Sequence, residues 1–277
     1  AARSSHIRWV SGAPEGVGRT MEDLAQVIAA DLARTGRFKP LPRQDMPATP
    51  QTVEAVDLRD WRVLAMNNLV VGQINRRPDG LYQVDFALMD VYSGEQLANM
   101  SLASSPAELR YTAHRIADII YERLTGAPGA FTSRLAYVTS EWGVDGQRVT
   151  LRVADADGHN PQTIVSSKEP IMSPAWSPDG RRLAYVSFEN RQTAVFVQEL
   201  ATGRRERVAS FPGINSSPAW SPDGNRLALT LSRDGNPEIY ILDLNSRATT
   251  RLTNSPGIDT EPAWSPDGNE IYFTSGR

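Results

Sequence analysis

The octapeptide SPAWSPDG occurs at Ser173–Gly180 and again at Ser217–Gly224, and the variant EPAWSPDG occupies Glu261–Gly268. The copies place one tryptophan every 44 residues, at Trp176, Trp220 and Trp264. A period of this length is typical of repeat architectures in which each unit is one supersecondary structure, such as a propeller blade. The repeat therefore decides the fold of the second half of the chain.

One repeat unit, Ser217–Pro256, contains four segments with strand propensity. They are Pro218–Trp220, Arg226–Ser232, Glu238–Leu244 and Thr249–Thr253. Between the first two, Ser221–Gly224 has the residue order of a type I turn followed by a left-handed glycine. Four strands per 44 residues predict one blade of a β-propeller.

The strands are apolar at consecutive positions, which is typical of sheets that are covered on both faces. Neighbouring blades supply that cover, so we interpret each repeated tryptophan as a wedge between blades. Arg134–Thr139 matches Arg182–Ser187, and the last unit stops after Ile271–Thr274. We therefore expect about three and a half blades and a sequence that is cut short, because four to eight blades close a ring.

The region before the repeats predicts a different domain. Helical patterns cover residues 20–36, with Thr20 as the cap, 53–66, and 105–125, where Ser105 and Glu108 form a capping box. Strand patterns lie between the last two helices, at Asn68–Ile74, Leu81–Asp90 and Glu95–Ala103. We expect an α/β N-terminal domain at residues 1–129 and an all-β propeller domain at residues 130–277.

Composition excludes several function classes. The net charge is −3 and no basic region stands out, which argues against a nucleic-acid partner. No apolar run is long enough for membrane insertion, and there is no cysteine for a disulfide or a thiolate site. The three histidines form no metal-binding motif, and His114 is expected to be packed rather than catalytic. Asp155–Gly158 is interpreted as a hairpin turn, so we expect no catalytic residue, metal or cofactor.

Four segments together with the blades resemble the TolB family, the periplasmic propeller proteins of the Tol-Pal system. They are VIAADLARTGRF at Val27–Phe38, VVGQ at Val70–Gln73, LRYTAHRIADIIYERLTG at Leu109–Gly126, and Gly129–Phe131. The resemblance implies a six-bladed propeller in the full protein and a non-enzymatic docking protein of the periplasm, monomeric by itself. It also implies a contribution to outer-membrane integrity and cell division.

The resemblance implies three partners: the peptidoglycan-associated lipoprotein Pal, TolA of the inner membrane, and group A colicins. Family members bind TolA through their extreme N-terminal segment. Residues 1–6, AARSSH, are unlike that segment, so we expect it to be missing here. Pal binds one propeller face at the mouth of the central channel.

The loops that precede each PAWSPDG motif are the expected partner-binding site. The resemblance places Pal contacts at Ile214, Ser217 and Thr260. The complete candidate set is Glu169, Met172, Ile214, Asn215, Ser217, Asp259, Thr260 and Glu261. Ordinary loop surface remains an equal alternative for several of them, and the neighbouring Pro-Gly pairs at 212–213 and 256–257 indicate turns.

A second function remains open at this point. Related repeats occur in the propellers of prolyl-oligopeptidase-like serine hydrolases, whose catalytic domain would lie outside these 277 residues. No G-x-S-x-G nucleophile motif is present in the sequence.

Overall fold

The computed structural model describes the backbone of residues 5–11, 18–48, 50, 52–144 and 146–277. Side chains are described from residue 24 onward, except at positions 49, 51, 145 and 190. The chain divides into two compact units between Ser133 and Arg134. The first unit is a mixed α/β structure, and the second is a succession of small antiparallel sheets.

A five-stranded sheet forms the centre of the first unit. Its strands are β1 (Ser5–Ser11), β2 (Phe38–Pro40), β3 (Asn68–Arg76), β4 (Tyr82–Asp90) and β5 (Gln96–Ser104), in the order β2-β1-β3-β4-β5. β1 runs parallel to β2 and β3, whereas β3, β4 and β5 are antiparallel neighbours. The two hairpin turns contain Gly80 and Gly94 at φ of 83° and 76°, a conformation that glycine adopts without a steric penalty.

Within the described residues of this unit, three α-helices accompany the sheet: α1 (Gly18–Arg34), α2 (Leu58–Val63) and α3 (Leu109–Thr125). One core combines residues of α1 and α3 with β3 and β4, including Ile28, Leu32, Val84, Phe86 and Ile116. A second core surrounds Trp61 of α2. None of the helices among the described residues has the length and apolarity that crossing a bilayer requires.

His114 joins the two long helices. Its Nδ1 lies 2.6 Å from Oδ2 of Asp31, and both side chains are buried. Arg34 forms an ion pair with the other oxygen of Asp31. The prediction that His114 is packed is therefore confirmed, and a buried carboxylate with two basic partners accounts for its position.

Three local predictions for this unit are wrong. The segment 53–66 is broken into a short 3-10 turn, Val53–Ala55, and α2, because the Asp57 carboxylate accepts a hydrogen bond from the Arg59 amide at 3.0 Å and caps a new helix. Thr20 lies within α1 and is not its cap. The hydroxyl of Ser105 donates to the Glu108 carboxylate instead of capping the backbone, and a 3-10 turn precedes α3.

The second unit contains thirteen strands in four sheets within its described residues. The first sheet is β6 (Arg134–Gly143), β7 (Gly146–Asp155) and β8 (Gln162–Ser167); the second is β9 (Ile171–Trp176), β10 (Arg182–Ser187), β11 (Ala194–Glu199) and β12 (Arg205–Ala209). The third is β13 (Asn215–Trp220), β14 (Arg226–Leu231), β15 (Glu238–Asp243) and β16 (Thr249–Arg251); the fourth is β17 (Asp259–Trp264) and β18 (Ile271–Ser275). This is the partial propeller that the repeat predicts.

The first strand of each repeat begins earlier than its sequence suggests. β13 starts at Asn215, three residues before Pro218, and the proline sits inside the strand. Ser217 and Pro218 lie at a register shift between the pairs Ser216–Thr230 and Ala219–Ala228. A bulge needs no ladder bond from its extra residue, so proline is tolerated there.

The residue before each of these prolines adopts a left-handed conformation. Ser173, Ser217 and Glu261 have φ of 52°, 50° and 55°. This conformation is costly for a residue with a side chain. Its recurrence at the same place in three sheets shows that the bulge is part of the blade design.

The repeated tryptophans connect successive sheets, as predicted. Nε1 of Trp220 donates to the Ala175 carbonyl of the preceding sheet at 3.1 Å, and Trp264 donates to Ala219 at the same distance. An arginine of the preceding sheet covers each indole: the guanidinium of Arg182 lies 4.6 Å from the Trp220 ring. The pairs Arg134–Trp176 and Arg226–Trp264 repeat this geometry at 4.7 and 4.8 Å.

The SPDG turns also follow the sequence prediction. In the second sheet, the Ser177 hydroxyl donates to Oδ1 of Asp179 at 2.6 Å and accepts from the Arg182 amide at 2.9 Å. The serine hydrogen bond, with a further one from the Arg181 amide, lowers the pKa of Asp179. Gly180 follows at φ of 66°. The aspartate is therefore a turn former.

Replacement of Trp220 by alanine should lower the free energy of unfolding by about 3 to 5 kcal/mol, because it leaves a cavity between two sheets. Trp142→Ala is the matched control, since this indole is 80% exposed and Trp220 is only 8% exposed. The control should stay within about 0.5 kcal/mol of the parent. Equilibrium urea unfolding followed by circular dichroism measures both, and equal losses would contradict the wedge.

Candidate functional site

The candidate site lies where the first strand of each repeat begins. We call the residues 168–173, 210–217 and 252–261 the rim: they comprise the loops before β9, β13 and β17 together with the first residues of these strands. β13 contacts β9 on one side and β17 on the other. The three parts of the rim therefore lie next to one another.

Each part of the rim exposes a large apolar side chain. Met172, Ile214 and Ile258 are 50%, 44% and 55% exposed. Ile214 and Ile258 occupy the same position in successive repeats, 44 residues apart. Apolar groups that recur next to one another on a surface are typical of protein-binding sites.

Asn215 fixes the loop before β13 from the inside. Its side chain is fully buried, accepts from the Phe211 amide at 2.8 Å and donates to the Phe211 carbonyl at 2.7 Å. Its own amide donates to the Thr193 hydroxyl at 2.9 Å. Ile214 is held separately, since its amide donates to Oγ of Ser232 at 2.7 Å. The exposed isoleucine therefore projects from a braced loop.

Asp259 occupies the matching position before the next sheet. It is also fully buried, and its carboxylate accepts from Ser275 at 2.7 Å and from Arg277 at 2.8 Å. The hydrogen bond from Ser275, followed by that from Arg277, lowers the pKa of Asp259. Asn236 braces the loop itself by donating to the carbonyls of Ser255 and Gly257 at 2.8 and 2.6 Å.

The rim brings the eight predicted site residues into one region but gives them different roles. Glu169, Met172, Ile214 and Glu261 are exposed, and Ser217 and Thr260 are half-buried. Asn215 and Asp259 are buried, so they shape the loops and do not present a side chain to solvent. Six of the eight belong to strands and not to loops, because each strand begins before its bulge; they are Met172, Asn215, Ser217, Asp259, Thr260 and Glu261. Glu169 and Ile214 lie in the loops.

Sequence reasoning missed Ile258, the most exposed of the large apolar side chains in the rim. The repeat could have indicated this residue, because Ile258 lies one 44-residue period after Ile214. The bracing residues Thr193, Ser232 and Asn236 carried no comparable signal. They belong to loops between the second and third strands of a blade and reach the rim only in the folded chain.

Two family models match the chain. The model described as the TolB beta propeller domain matches residues 121–277, and the model described as the TolB amino-terminal domain matches residues 6–97. Both agree with the resemblance found in the sequence.

Curated relatives and a solved structure give the same result. The chain is 56% identical over 196 residues to the Tol-Pal system protein TolB of Nitrosococcus oceani, covering 70% of this chain and 45% of the relative. It is 50% identical over 202 residues to the protein of the same name from a Marinomonas species, covering 73% and 47%. The chain thus spans about half the length of the curated relatives it matches.

The crystal structure of TolB from Acinetobacter baumannii superimposes with a TM-score of 0.90. The two sequences are 39% identical, and the alignment covers 99% of this chain and 67% of that one.

Asn215→Ala should remove the internal brace of the rim. Loss of its hydrogen bonds leaves the Phe211 amide and carbonyl without their partner, which should lower the free energy of unfolding by about 1 to 3 kcal/mol. Amide hydrogen exchange of Phe211, whose N–H loses its acceptor, should accelerate. Ser216→Ala, at the half-buried neighbour, is the control, and unchanged exchange in Asn215→Ala would contradict the bracing role.

Proposed function

Because this chain belongs to the TolB family of Tol-Pal system proteins, we propose that it is a non-enzymatic docking protein of the periplasm that binds the lipoprotein Pal through the rim. The family places it in a cell-envelope system. Since the chain spans about half of its curated relatives, partners and cellular role belong to this proposal. They include a contribution to outer-membrane integrity and cell division.

The observation that carries the proposal is the exposure of Ile214 and Ile258 from braced loops. Binding is favoured when apolar groups are already held in place, because less conformational entropy is lost on association. Ser232 holds the amide of Ile214, Asn215 braces the loop that carries Ile214, and Asn236 braces the loop that carries Ile258. The rim is therefore suited to a partner that buries these side chains.

Polar groups surround the apolar ones. Glu169 and Glu261 are exposed, and Ser217 and Thr260 offer hydroxyls at the edge of the patch. An apolar centre with a polar edge is the usual composition of a protein interface. In this proposal Asn215 and Asp259 act on Pal only through the shape of the loops.

The other partners follow from the family resemblance. In the family, TolA binding belongs to the extreme N-terminal segment, which AARSSH at the start of this sequence does not resemble. Group A colicins would compete with Pal for the rim. The serine-hydrolase alternative loses support, because TolB models match both the N-terminal region and the propeller.

The double variant Ile214→Asp with Thr260→Arg should abolish a Pal pull-down. A buried charge without a partner is costly, so affinity should fall by about tenfold or more. The midpoint of thermal unfolding should not change, because Ile214 is exposed and Thr260 half-buried. Calorimetric titration with purified Pal gives the affinity.

Val63→Asp is the matched control, since Val63 is 85% exposed and lies in the first unit. It should bind Pal as the parent does. Retained binding by the rim double variant would place the Pal site elsewhere.

A further inference from the structure

A second exposed surface lies at the tip of the β6–β7 hairpin. Trp142 is 80% exposed and Val144 is fully exposed. The residues of a hairpin turn are usually small or polar, and a large apolar side chain near the turn is usually packed against its own sheet. Trp142 and Val144 are apolar and exposed instead. Both lie outside the repeated motif.

The same hairpin has an open backbone edge. β8 pairs with β7 only from Val149 to Val153. Residues 146–148 of β7 pair with β6 on one side, and no described strand pairs with them on the other. An unpaired strand edge is a template for an added strand, because its amides and carbonyls need partners.

Two cations border this edge. Arg148 lies on the overhanging part of β7, and Lys168 follows β8 directly. Neither forms a hydrogen bond or an ion pair with another described side chain, whereas nearby Glu141 lies 3.7 Å from Arg152. A cleft runs between the hairpin and the end of β8, with Glu141, Trp142, Val144, Arg148, Ser166 and Lys168 in its walls. The carboxylate of Glu141 is the partner of Arg152, which leaves the charges of Arg148 and Lys168 unbalanced.

We propose that this cleft binds an acidic peptide segment in extended conformation, which adds as a strand to β7 beside residues 146–148. The backbone edge accounts for the extended conformation. Arg148 and Lys168 account for the acidic charge, since both are available for carboxylates. The exposed indole of Trp142 supplies apolar contact area, as aromatic residues do in many interfaces.

This inference does not rest on Pal binding. The cleft lies at the first sheet, whereas Ile214 and Ile258 precede the third and fourth sheets, and Lys168 is the residue that the rim and the cleft share. Failure of either proposal leaves the other standing.

A phage-displayed library of random decapeptides, panned on the full chain, tests the proposal. Enriched peptides should be rich in Asp and Glu. Enrichment should fall at least tenfold on Trp142→Ser and on the double variant Arg148→Glu with Lys168→Glu. The matched control is Arg181→Glu with Arg207→Glu, which makes the same change in charge at exposed positions outside the cleft.

A second measurement tests strand addition. The best peptide should bind at least tenfold more weakly when its backbone amides are N-methylated, because it can no longer donate to the β7 edge. No enrichment, enrichment of neutral or basic peptides, or acidic enrichment that survives the Arg148 and Lys168 reversal would overturn the proposal. Equal affinity of the N-methylated peptide would overturn it as well.

Discussion

The contact between each tryptophan and the sheet before it is the interaction on which the second unit depends. The strands are apolar on both faces, so an isolated sheet would leave both faces in water. The indole of Trp220 helps to cover the preceding sheet, because it packs against Arg182 and its Nε1 donates to the carbonyl of Ala175. Because the same contact recurs at Trp264, each sheet fixes the position of the next.

Because the sheets are held in place relative to their neighbours, the loops and strand ends of the rim have defined positions. The first strand of each repeat bends at a bulge, where Ser173, Ser217 and Glu261 are held in a left-handed conformation. The loops before β13 and β17 are tied to neighbouring loops by partly buried hydrogen bonds. Exposed apolar side chains therefore stand on a rigid base, and a partner can bury them without first ordering the loops.

The blades could be predicted from the sequence because the tryptophans recur at a fixed period. The SPDG turns could be predicted because their conformation depends on the residues of the turn itself. The position of Pro218 inside a strand could not, since a bulge depends on pairing with β14. The burial of Asn215 could not be predicted from the sequence either, because its partners Phe211 and Thr193 come together only in the folded chain. Ile258 could have been predicted, because it lies one 44-residue repeat after Ile214.

The central claim is that arginine and tryptophan of successive sheets act together. A double-mutant cycle with Arg182→Ala and Trp220→Leu measures this directly by equilibrium urea unfolding. The coupling energy between the two positions should be about 0.5 to 2 kcal/mol, because either substitution removes the contact between the guanidinium and the indole. Additive effects, within about 0.3 kcal/mol, would contradict it.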